Sequence, residues 1–276
     1  MSLLDRFTTT VTALAETAME ESYRHTREER LSFDALAALS LATRNGRIHV
    51  RGEDRDDLRV DVTKHAREEA DLDRIEVVAE AGSGAAAGAG DAPGDDGDSL
   101  ALRVEHPPGV RDVAVDLDVA LPRGTALTTV ETENGRVDVA DVTGDVVVRT
   151  KNGRVDLRDV EGYPSVETGN GAVKLAGTTG VDRVTTSNGS VDAEIRSIRG
   201  DALVETTNGR VVVRLGPTLD AEVVATSSVG SVDAGPLGGS ARGVGGQRVA
   251  GTVGDGGHEL GVRTDVGSVT VEDASE

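Results

Sequence analysis

Residues 130–215 read VETENGRVDVADVTGDVVVRTKNGRVDLRDVEGYPSVETGNGAVKLAGTTGVDRVTTSNGSVDAEIRSIRGDALVETTNGRVVVRL. Self-similarity at a fixed period marks a repeat architecture. Here Asn-Gly recurs at Asn134-Gly135, Asn152-Gly153, Asn170-Gly171, Asn188-Gly189 and Asn208-Gly209, at intervals of 18, 18, 18 and 20. A Thr stands two residues before each Asn, at 132, 150, 168, 186 and 206. A second glycine series, Gly144, Gly162, Gly180 and Gly200, runs out of phase with the first. An isolated earlier copy is Thr43-Arg44-Asn45-Gly46-Arg47, and degenerate copies follow at Val229-Gly230-Ser231 and Val266-Gly267-Ser268.

Between the turns the period is two. The second and fourth residues after each Gly are apolar: Val137/Val139, Val155/Leu157, Val173/Leu175, Val191/Ala193 and Val211/Val213. Their neighbours Asp138, Asp156, Lys174 and Asp192 point the other way, the alternation of a half-buried strand. Val148, Val166, Val184 and Val204 hold the same parity in the run before each turn. Asn-Gly between alternating runs is also the best short hairpin signal. A meander, however, has no reason to repeat both turn sets with the same residues at 18-residue spacing. A β-solenoid has one, because like positions stack on like positions one coil apart. The turn Asn and Gly are read as corner residues that favour left-handed backbone. Stacked Asn side chains would also hydrogen-bond along the axis.

Outward from the repeat, residues 53–126 lose the period but keep strand-like alternation at 58–62, 75–78, 100–104 and 113–119. They are read as an antiparallel cap over one solenoid end, because open edges invite further pairing. Residues 81–98, AGSGAAAGAGDAPGDDGD, have the composition of a disordered loop. Residues 235–258 are Gly-rich with weak pattern. Residues 1–22 are expected to form a short N-terminal helix or tail, with Leu3, Leu4, Phe7, Val11, Leu14 and Met19 near helical spacing. The expected organisation is therefore all-β: that N-terminal segment and one β-solenoid domain over 23–276, with its coils in 127–276.

The chain has 276 residues, 29 Lys+Arg against 49 Asp+Glu, a formal net charge of −20 and no cysteine. Cysteine chemistry, disulfides and thiolate metal sites are excluded. Excess carboxylate repels phosphate backbones and argues against nucleic-acid binding. Only Lys64, Lys151 and Lys174 are lysines. Carboxylates with Arg preferred to Lys suit concentrated salt, where the Debye length falls to about 3 Å at 1 M. Asp5, Arg6 and three threonines interrupt the first apolar run, so a signal peptide is not expected there. No transmembrane segment is expected either. Cytoplasmic location is the favoured expectation.

Candidate chemistry is sparse. Asp138 and Asp156, one coil apart, could be the carboxylate pair of a glycan-cleaving groove. The competing reading is a solvated face with relief of repulsion by Lys174. Asp91, Asp95, Asp96 and Asp98 would bind cations only weakly, without a calcium-loop pattern. His25, His49, His65, His106 and His258 show no metal spacing. No catalytic, metal or cofactor site is expected. The candidate contact face is the outward set Arg136, Asp138, Arg154, Asp156 and Arg210.

The repeated V-x-T-x-N-G-x-V-x-V units, the first copy at Ala42–Val50, Val-Asp-Leu-Asp-Val at 115–119, and Gly-Asp-Gly-Gly…Leu-x-Val-x-Thr-x-x-Gly-Ser-Val at 254–269 resemble the putative adhesin family of β-strand-repeat proteins, a family of unknown function. The likeness spans residues 30–273. It implies a single-domain β-solenoid, often exported or surface-attached, without established enzymatic activity. The expected function is a non-enzymatic interaction module with a protein or cell-surface partner. The alternatives are a self-associating intracellular scaffold and, further off, a polysaccharide-active enzyme.

Overall fold

The computed structural model describes residues 25–83, 98–106 and 112–274. The expected N-terminal helix over 1–22 lies outside them. The chain divides into two units, Met1–Thr143 and Gly144–Glu276.

The first unit holds β1 (His25–Asp34), β2 (Ala38–Asn45), β3 (Ile48–Glu53), β4 (Asp57–Ala66), the single turn α1 (Glu69–Leu72), β5 (Glu76–Ser83), β6 (Asp98–Glu105), β7 (Val113–Pro122), β8 (Ala126–Asn134) and β9 (Val137–Thr143). They form two files. One runs β5-β6-β2-β8 and the other β1-β4-β7-β3-β9. Parallel pairing joins β2 to β6 and β8, and β3 to β7 and β9, with Leu39 opposite Leu100 and Leu127, and Ile48 opposite Leu117 and Val137. Antiparallel pairs β1–β4, β4–β7 and β5–β6 complete the unit.

Segment 53–126 is therefore not the purely antiparallel cap that the sequence suggests. Its β6 and β7 extend the parallel files, because their alternating Leu and Val present the same apolar parity as β2 and β3. Residues 81–83 of the Gly/Ala stretch belong to β5 and Asp98 opens β6, while 84–97 fall outside the described residues. The isolated copy Thr43–Arg47 is not isolated in space. Asn45 lies in register with Asn134, 89 residues later.

The second unit contains β10 (Val147–Asn152), β11 (Val155–Glu161), β12 (Ser165–Asn170), β13 (Val173–Ala176), β14 (Arg183–Asn188), β15 (Val191–Ile195), β16 (Ala202–Asn208), β17 (Val211–Leu215), β18 (Ala221–Ala234), β19 (Gly239–Val253) and β20 (Glu259–Asp273). One parallel file stacks Val148, Val166, Val184 and Val204, and the other Val155, Val173, Val191 and Val211. All eight are buried. The last strand in sequence is not the last in space. β20 pairs with both β16 and β17 on one side and with β18 on the other, all parallel. β18 then turns back antiparallel into β19. The Gly-rich 235–258 stretch thus holds a 15-residue strand that its weak pattern hides.

Candidate functional site

The corners come first, because they position every outward side chain. Asn170 donates from Nδ2 to Oδ1 of Asn152 (2.8 Å), Asn188 to Asn170 (2.9 Å) and Asn208 to Asn188 (3.1 Å). In the first unit Asn134 donates to Asn45 (2.8 Å), whose own Nδ2 reaches the Val113 carbonyl (3.3 Å). The Asn column is a hydrogen-bonded ladder. None of these asparagines has positive φ, so the expected left-handed Asn is corrected. The following glycines are required by close stacking. A Cβ on Gly171 would lie 1.9 Å from the Gly153 carbonyl oxygen, and one on Gly209 1.9 Å from that of Gly189. Gly135 meets Gly46 in the same way, at 1.8 Å.

The buried Thr column braces the same corners. Thr168, Thr186, Thr206 and Thr264 donate to the carbonyls of Gly153, Gly171, Gly189 and Gly209 at 3.0–3.4 Å. Buried hydroxyls without such partners are costly, and Thr132 and Thr150 of the same column are buried with no hydrogen-bond partner among the described residues.

The candidate contact residues follow the corners. In the first unit Arg136 binds Asp138 through Nε (2.8 Å) and Nη2 (2.7 Å), and Arg47 approaches the same carboxylate at 3.4 Å. In the second unit Arg154 binds Asp156 at 3.1 Å. Asp156 is only 3% exposed although its position in the strand alternation is outward. Arg210 is exposed and has no ion pair among the described residues. Asp192, next in the Asp156–Lys174 column, is bound by Arg214, which also reaches Glu272 at 3.0 Å. The spacing R-x-D puts both side chains on one face, so Asp138 and Asp156 are answered from two residues upstream, whereas Asp192 is answered by Arg214 of the neighbouring β17.

Two clusters escape sequence reading, because their members lie far apart along the chain. On β7, Asp116 accepts from the Arg47 backbone N–H (2.7 Å) and faces His65 Nε2 at 3.4 Å, while Asp118 faces His49 Nδ1 at 3.2 Å. Burial pushes the Asp116 carboxyl up. The hydrogen bonds from His65 and Arg47 and the charges of both outweigh this and hold it below the usual carboxylate range. In the second unit the Arg199 guanidinium sits 4.7 Å from the Tyr163 ring centroid and pairs with Asp145, which also accepts the Tyr163 N–H (2.8 Å). Among the described residues no group of three or more His, Asp or Glu could hold a metal ion, and no helix is long and apolar enough to cross a membrane. Asp91, Asp95 and Asp96 lie outside those residues.

In-register parallel files, stacked corners and self-paired surface charges define an all-β repeat protein of β-solenoid-like build. The chain belongs to the Toastrack DUF4097 family, whose model matches residues 113–272. No curated protein matches it. Two solved structures are similar: a putative cell adhesion protein from Clostridium sporogenes ATCC 15579 (12% identity, 91% of this chain and 100% of that one, TM-score 0.39) and a putative adhesin from Bacteroides fragilis NCTC 9343 (13% identity, 88% and 96%, TM-score 0.41).

Proposed function

We propose that the chain is a non-enzymatic interaction module that binds a protein or cell-surface partner through columns of outward side chains. The observation that carries this is the state of the carboxylates on the candidate face. Asp138 and Asp156 are held by Arg136 and Arg154, and Asp156 is almost fully buried. A hydrolase needs a carboxylate that can reach its substrate. What this face offers is a fixed array of paired charges and exposed arginine, a surface suited to many weak contacts. Arg136, Asp138, Arg154 and Arg210 are the residues assigned to it, in two sets, one on each unit, with Asp156 buried behind Arg154 as its anchor.

The module is proposed to work in concentrated salt, where self-repulsion among its excess carboxylates is screened. A cytoplasmic location is the favoured reading, with a self-associating scaffold as the second. The test is protease cleavage of a C-terminal tag on intact cells in their native salt, with lysed cells as control. Protection until lysis supports the internal module. Cleavage on intact cells moves it to the surface and favours adhesion. Turnover of an acidic polysaccharide, lost in Asp156→Asn, would overturn the non-enzymatic reading altogether.

A further inference from the structure

β19 is the edge of the second unit. It pairs with β18 on one side, and among the described residues no strand lies on the other. Such an edge presents unpaired backbone donors and acceptors, which proteins usually guard with charge, proline or shortness. β1 in the first unit is guarded in that way: it carries Arg27, Glu28, Glu29, Arg30 and Asp34 within ten residues. β19 is 15 residues long and has no proline and no carboxylate in a chain of net charge −20. A register shift opposite Ser227–Val229, with positive φ at Gly245 and Gly246, leaves Gln247–Val253 as its regular half. There exposure alternates: Arg248, Ala250 and Thr252 are exposed, and Gln247, Val249, Gly251 and Val253 are half-buried.

From this edge we infer that two copies of the chain pair through Gln247–Val253, antiparallel, about a two-fold axis at Ala250. The segment is complementary to itself in that register. Ala250 meets Ala250, Val249 meets Gly251, Arg248 meets Thr252 and Gln247 meets Val253. Val249 opposes Gly251 and Arg248 the smaller Thr252, Ala250 opposes itself, and no charge opposes its like, as a two-fold pairing allows. The inner side is already apolar, since Leu237 lies against Gly251 (3.2 Å from an ideal Cβ). Absence of carboxylate on β19 itself keeps repulsion between two strongly acidic copies low along this edge, with Glu222 of β18, in register with Thr252, the nearest acidic partner across the pair. The occupant is therefore a second copy, and the inference goes beyond the contact face proposed above and stands independently of it.

Because the chain has no cysteine, single cysteines report designed positions alone. In concentrated salt, Ala250→Cys is expected to give a covalent dimer on mild oxidation. Thr252→Cys alone should give none, and Thr252→Cys mixed with Arg248→Cys should give a heterodimer. Light scattering should show a dimer for the parent chain. Ala250→Asp, an exposed change that leaves the fold intact by circular dichroism, should weaken dimerisation at least about ten-fold. A parent chain monomeric at every concentration overturns the inference. So do efficient cross-linking of Thr252→Cys to itself, and open-ended growth in size, which would mean a different register or head-to-tail pairing with another edge.

Discussion

Single residues decide whether neighbouring coils lock together. The Asn ladder of the second unit ends at Asn208, where the next position in register is Val266, 51% exposed. Val266→Asn would let a new amide donate to the Asn208 Oδ1. It is expected to raise stability by about 0.5–1 kcal/mol in urea unfolding, the net value of one such bond. Asp116 gives a second test. Its folded pKa is depressed, so its contribution is complete above the ordinary carboxylate range and is lost as pH falls through the lower folded value. Asp116→Asn should therefore flatten the acid limb of a stability–pH profile and leave the neutral region less stable. The ladder was legible in the sequence, because recurrence of one residue at one spacing identifies a stacked column. The buried Asp156 was not. Alternation assigns it outward, and only the surrounding side chains in three dimensions reveal its burial.

At the level of strands and corners, close approach and pairing set the tolerances. Gly171→Ala would drive a Cβ to 1.9 Å from the Gly153 carbonyl, whereas a Cβ at Gly200 meets nothing within 4 Å. The first is expected to cost more than about 3 kcal/mol and the second under about 1, read from thermal melts of the two variants. Lys64 on β4 holds inward parity, is 5% exposed and is paired with Glu29 of β1 at 2.7 Å. Glu29→Ala strands a buried ammonium and should cost about 3 kcal/mol, while the double change Glu29→Leu with Lys64→Met should be close to neutral in the same denaturant series. The parallel repeats were readable because Val and Leu alternate without interruption. β19 was not, because glycine occupies both parities and erases the period. The stacking of β6 and β7 on β2 and β3 was hidden by the excursion through β4 and β5.

For the molecule as a whole, each unit holds one repeat copy displaced between sequence and space. In the first, β2–β3 lies between β6–β7 and β8–β9. In the second, β20 lies between β16–β17 and β18. Each displaced copy pairs on both sides, so the edge of the second unit falls to β19 and not to the last strand in sequence. The class of fold could be read from periodicity alone, but the order of strands in space could not, since stacking depends on parity and not on chain order. The proposed function rests on the surface: paired charges on stacked columns, in a chain of net charge −20. The most direct test is an equilibrium binding isotherm of the purified chain on the envelope fraction of its own cells, in concentrated salt. The account predicts saturable binding that Arg154→Glu and Arg210→Glu each weaken by about two- to five-fold, with their effects multiplying, as for separate contacts of about 0.5–1 kcal/mol. Loss of all binding from either change alone, or chemical turnover of the bound material, would contradict it.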